Sequence, residues 1–192
     1  MLFSILLLWI LLYTHWLPNL ETDLKCSRLL INYFFITMII STWIPPIYVH
    51  NRLAVHVGLI LILFVTFYFF IQVNEKMIFM TIMLSSSSIA YMLHRFFYFP
   101  VDWTSHSFRL LMMVLFVMGA FLAFNQLIER IAYLWSGSIV THGLIILTNR
   151  EMLNPIMLGE QTFLDFCGLA MLLLVVIQYG VMPFFTYIRS RL

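Results

Sequence analysis

Apolar stretches of about membrane-spanning length follow one another along this chain, and most of its charge falls in the short breaks between them. A helix needs about 20 apolar residues to cross the roughly 30 Å hydrocarbon layer of a bilayer. Segments near that length run over residues 2–18, 29–44, 53–73, 77–93, 110–126, 131–148 and 163–187. Hydrophobic residues make up 63% of the sequence and charged residues 9%. A soluble domain carries about 25% charged residues, so a soluble chain this apolar could not cover its surface. The expected class is all-α: a polytopic transmembrane helical bundle of about seven spans, forming a single domain over residues 1–192. The bilayer is its first partner.

The boundaries have local causes. Pro18-Asn19 ends the first segment, Pro45-Pro46 must stop or kink the second, and Asn74-Glu75-Lys76 forms a turn in which Asn74 suits an N-cap. One uninterrupted helix over residues 110–148 would be far longer than the hydrocarbon layer. A break is therefore expected near the charged pair Glu129-Arg130; if residues 131–148 are instead re-entrant or interfacial, the count falls to six. The N-terminus lacks a basic leader and a small-residue cleavage site, and reads as a retained span.

Lysine and arginine in short loops set orientation. With the N-terminus outside and the C-terminus cytoplasmic, the inner side holds Lys25, Arg28, Lys76, Arg130, Arg189 and Arg191. The outer side holds Arg52, Arg95, Arg109 and Arg150. That bias favours a multi-pass cell-membrane protein, N-out and C-in. The net charge is +2 and its basic residues are scattered singly, so nucleic acid is not an expected partner.

The longest run that is not simply apolar is 94–109. It combines Phe96, Phe97, Tyr98, Phe99, Trp103 and Phe108 with Arg95, Asp102, His106 and Arg109. Polar-tipped rings and arginines of this kind favour the headgroup level of a bilayer. An outer interfacial connector is the plain reading. Trp103, Asp102 and Arg109 are the candidate contact residues if the loop is instead a binding lip or protein interface.

Polar groups within apolar segments are few. Ser85-Ser86-Ser87-Ser88 suits close helix packing, with a polar patch on a solute path as the alternative. Trp135, Ser138 and His142 share one helical face, and an ionisable group as deep as His142 raises the question of proton relay or ligand contact. A neutral imidazole bonded to Ser138 or to another helix is the structural alternative. Thr162-Phe163-Leu164-Asp165 fits a capping box, so Asp165 is expected to be a cap. Gly180 and Pro183 are expected to bend the last helix.

His56 and His142 lie in different segments, as axial haem ligands can, yet no further residue supports a haem, and no cofactor or metal is expected. Cys26 and Cys167 are expected to be free thiols. The last segment has no lysine for a retinal Schiff base, and no hydrolase, phosphate-loop or paired-carboxylate motif is present. The chain is not expected to be an enzyme.

The loop Phe99-Pro100-Val101-Asp102-Trp103, the turn Leu127-Ile128-Glu129-Arg130, and Leu158-Gly159-Glu160 followed by Leu164-Asp165 resemble the YphA-type multi-pass membrane proteins of endospore-forming bacilli. That resemblance covers most of the chain by length and span spacing. It implies a bacterial cell-membrane protein with a link to sporulation, and no catalytic residue. The expected function is a non-enzymatic membrane protein that assembles with partner proteins or with itself. The alternative, a small-solute transporter subunit or channel, fits poorly with only seven glycines and little intramembrane charge.

Overall fold

The computed structural model describes residues 2–13, 17, 20–50, 52–96, 106–149, 153, 156–181 and 183. Asp102 and Trp103 lie outside them. Helix dominates: α1 Leu2–Tyr13, α2 Leu20–Leu24, α3 Arg28–Ser41, α4 Val57–Gln72, α5 Lys76–Phe96, α6 His106–Ala123, α7 Leu127–Thr148 and α8 Gln161–Val176, which runs on into a π-helical turn Ile177–Val181. The class is all-α. Among the described residues three helices, Lys76–Phe96, Leu127–Thr148 and Gln161–Val181, are long and apolar enough to cross a membrane. The apolar helices α1, α3, α4 and α6 are shorter. At 1.5 Å per residue, α7 reaches about 33 Å and α3 about 21 Å.

Buried side chains ring α7 almost completely, from Leu127 to Ile146. It packs against α2, α4, α5, α6 and α8, so it forms the axis of the bundle. Its small residues make this possible. A Cβ on Gly137 would stand 2.5 Å from the Phe116 ring of α6, and one on Gly119 of α6 would stand 2.6 Å from the Tyr133 hydroxyl of α7. The serine run of α5 packs here too. Ser87 Oγ donates to the Gly137 carbonyl at 3.1 Å and the Met83 carbonyl at 2.8 Å, and Tyr133 donates to Ser86 Oγ at 2.6 Å. Ser88 is exposed and bonds back to Leu84. Helix packing, the simpler of the two readings of the serine run, is what the geometry provides.

Several boundaries differ from the sequence expectation. The apolar run over residues 53–73 is not one helix. Strands Ile47–His50 (β1) and Leu53–Val55 (β2) pair antiparallel, and Ile156–Leu158 (β3) pairs parallel to β2. β-branched and aromatic residues at Ile47, Tyr48, Val49, Val55 and Ile156 suit strands. α4 starts later because His56 is its N-cap: extended, buried, and with Nδ1 accepting the Gly58 N–H at 3.1 Å. The break before α7 lies at 124–126, ahead of Glu129 and Arg130, which both belong to the first turn of α7. Arg109 falls in the first turn of α6, not in a loop.

The capping box over residues 162–165 does not form. α8 begins at Gln161 after Glu160, whose carboxylate accepts from Thr162 Oγ1 at 2.7 Å. Asp165 therefore sits a turn too late to cap. Around Gly180, where a bend is expected, the helix passes into the π-helical turn Ile177–Val181.

Hydrogen bonds sort the connections into two groups at opposite ends of α7. At one end, Arg28 reaches the Leu12 carbonyl at 3.1 Å, Tyr179 donates to Asp23, and Arg130 joins the end of α6 to the π turn. At the other, His56 N–H donates to the Leu158 carbonyl at 3.0 Å, and Ile156 N–H to the Arg52 carbonyl at 2.8 Å.

Burial holds the His56 pKa below the usual histidine value of 6.5. A protonated Nδ1 could not accept the Gly58 N–H, and the folded state favours the neutral ring. The contribution of His56 to stability is thus complete above about pH 6.5 and is lost as pH falls below it, where the unfolded chain takes up the proton first. His56→Asn keeps a capping oxygen without titrating, so the difference in stability between parent and variant should change between pH 7.5 and 5.5 in detergent. A constant difference would show that His56 does not titrate with unfolding.

Candidate functional site

The face of α7 carrying Trp135, Ser138 and His142 does not converge on one centre. Ser138 is fully buried and bonds back to the Leu134 carbonyl at 2.6 Å. It makes no bond to His142. That ring is buried against α8, stacked on Phe163 with centroids 4.2 Å apart and planes 11° apart. Its Nε2 accepts the Gly159 N–H at 3.3 Å. His142 thus touches both the turn between β3 and α8 and the first helical turn of α8. Among the described residues no three His, Cys, Asp or Glu side chains converge as a metal site.

Trp135, two turns nearer the start of α7, packs against other helices. Its ring lies between Phe34 of α3, at 5.9 Å and 44°, and Phe69 of α4, at 6.4 Å and 17°. It is 3% exposed, yet its indole N–H has no hydrogen-bond partner among the described residues. It backs a cavity of about 210 Å³ between α3 and α4. The two helices meet at one end, where a Cβ on Gly58 would lie 3.2 Å from Ser41 Oγ. At the other end Cys26 Sγ stands 3.7 Å from the Tyr68 hydroxyl. Between these points aromatic and aliphatic side chains line the gap, and exposed Phe64 and Tyr68 sit at its rim. Cys26 and Cys167 are free thiols.

A third cluster was not singled out from the sequence. Arg130 is buried in the first turn of α7. Its Nε donates to the Phe124 carbonyl at 2.8 Å, its Nη1 to Gln178 of the π turn, and its guanidinium lies 4.3 Å over the Phe121 ring. One side chain therefore closes the open carbonyl end of α6 and ties α6, α7 and the π turn together. In sequence it is indistinguishable from a topogenic arginine; only its partners, up to 48 residues away, give it this role. Arg109 is half-buried on α6.

No known protein family, curated protein or solved structure matches the chain. Its chemistry must be argued from these residues.

Proposed function

We propose that this chain is a non-enzymatic, multi-pass protein of a bacterial cell membrane that assembles with a partner membrane protein or with a second copy of itself. In this reading the apolar helices make about seven crossings, with the N-terminus outside and the C-terminus in the cytoplasm. The three long apolar helices and the alternation of the turns between the two ends of α7 support it. The link to sporulation rests on the resemblance to YphA-type proteins alone.

The observation that carries the assembly is β1. All four of its residues are exposed, among the described residues it pairs with β2 alone, and Trp43 and Ile44 just before it are exposed as are its own Ile47, Tyr48 and Val49. Exposed strand edges invite a further strand, and aromatic patches anchor contacts. Transport has less support. The buried hydroxyls of Ser87, Ser138 and Thr141 are all turned to backbone carbonyls, which leaves them no role as a polar path through the bundle.

Two aromatic anchors should each contribute on the order of 2 kcal/mol to a contact. Trp43→Ala with Tyr48→Ala should therefore strip co-purifying protein, or the second copy, from material isolated in mild detergent. Trp103→Ala should weaken the same assembly. Equal recovery of every co-purifying protein and an unchanged oligomeric size would leave these rings as a lipid belt.

A further inference from the structure

Helix length differs from one flank of the bundle to another. α3 has 14 residues and α4 has 16, so their axes run about 21 and 24 Å. α5 has 21 residues and runs about 32 Å. α3 packs against α1 and α4, and α5 against α6 and α7. The exposed apolar faces follow the same difference. On α4 the exposed apolar side chains run from Ile60 to Ile71, about 17 Å along the axis; on α5 they run from Met77 to Phe96, about 29 Å.

Polar groups fix both ends of the short flank. At one end Arg28 opens α3, bonds the Leu12 carbonyl at 3.1 Å and lies 3.8 Å from Glu21, while Asn74 and Glu75 are exposed just past α4. At the other end β1 and exposed Arg52 connect α3 to α4. Among the described residues β1 pairs with β2 alone. An open strand edge cannot sit in hydrocarbon, where nothing satisfies its N–H and C=O groups. The hydrocarbon beside α3 and α4 must therefore stop at the ends of these helices. Trp43, 79% exposed and just past α3, stands where aromatic side chains mark a membrane boundary. Tilt, the usual adjustment of a long helix, only shortens the reach of a short one. We propose that the flank formed by α3 and α4 holds the bilayer about 6–9 Å thinner than the roughly 30 Å of ordinary hydrocarbon, and gathers phospholipids with short acyl chains around it. The face of α5 keeps the ordinary thickness. This inference rests on the reading in which α3 and α4 cross the membrane, and not on a partner at β1.

The test uses the full chain, lacking Cys26 and Cys167, in phosphatidylcholine vesicles. A bimane fluorophore is attached through Ile36→Cys, Phe67→Cys or Leu84→Cys, which lie near mid-helix on the exposed faces of α3, α4 and α5. A phosphatidylcholine with a nitroxide on its stearoyl chain quenches the label on contact. Dimyristoleoyl or dioleoyl phosphatidylcholine then displaces the quencher from around each label. At 36 and 67 the shorter lipid should relieve quenching at least about twofold more effectively than the longer one, and at 84 it should not. Labels on two helices keep the test decisive if one of them disturbs folding. The same ranking of the two lipids at all three positions, or a preference for dioleoyl at 36 and 67, would overturn the proposal. Quenching at 67 by aqueous iodide and not by the nitroxide lipid would instead show that α4 lies outside the bilayer, and would remove the crossing on which the proposal rests.

Discussion

Arg130→Met is expected to be among the most damaging single substitutions in the chain. Methionine keeps much of the aliphatic stem but leaves the Phe124 carbonyl and Gln178 without the guanidinium they bond, and removes the charge from over Phe121. Hydrogen bonds to charged groups are worth about 1.5–3 kcal/mol each, and a cation over a ring adds about 0.5–2 kcal/mol. Since these terms are not additive, the expected loss is about 3–5 kcal/mol, read from unfolding in mixed micelles. Arg130→Lys should recover only part of it, because an ammonium has no planar fork to serve two acceptors on different elements. A loss below about 1 kcal/mol for Arg130→Met would mean that the clasp is not what holds this end together.

Gly159→Ala should come next. Gly159 has φ +72°, a left-handed conformation that costs an L-residue roughly 1–2 kcal/mol. A Cβ there would also lie 2.5 Å from Leu59 Cβ, on the first turn of α4. That contact is with the stem of a helical residue, so the turn itself would have to move, at about 1–3 kcal/mol for overpacking. Movement would draw the Gly159 N–H away from His142. The expected loss is about 2–4 kcal/mol. Gly143→Ala is the control. A Cβ at Gly143 meets nothing within 4 Å, and it sits in the interior of α7, so alanine should be neutral or stabilising by up to about 1 kcal/mol. Equal effects at the two positions would remove the steric account of Gly159.

Much of the helical content was legible because apolar runs and breakers act locally. Pro45-Pro46 does close α3, and the asparagine turn at 74 does separate α4 from α5, although α5 starts at Lys76. What was not legible depends on contacts distant in sequence. Leu53-Ala54-Val55 reads as the start of an apolar helix; it is a strand because Ile156-Met157-Leu158 lies beside it. Thr162 and Asp165 satisfy the capping pattern, but Glu160 is already in place when α8 begins. Charge marked Arg130 only as an orienting residue, and hydrophobic period marked Trp135 only as a neighbour of His142. Neither signal could reveal that one closes a helix end and that the other packs between Phe34 and Phe69 at the wall of a cavity.

The central claim is that the two groups of turns at the ends of α7 face opposite sides of a membrane. Single cysteines at Tyr48, Gln161, Lys76 and Asn125, all exposed in the folded chain, test it on a background lacking Cys26 and Cys167. A membrane-impermeant thiol reagent applied to intact cells should label positions 48 and 161, and should reach 76 and 125 only after the membrane is opened. Labelling of 76 and 125 alone would invert the orientation. Labelling of 48 and 76 together in intact cells would mean that α4 does not cross, and would contradict the bundle of about seven crossings.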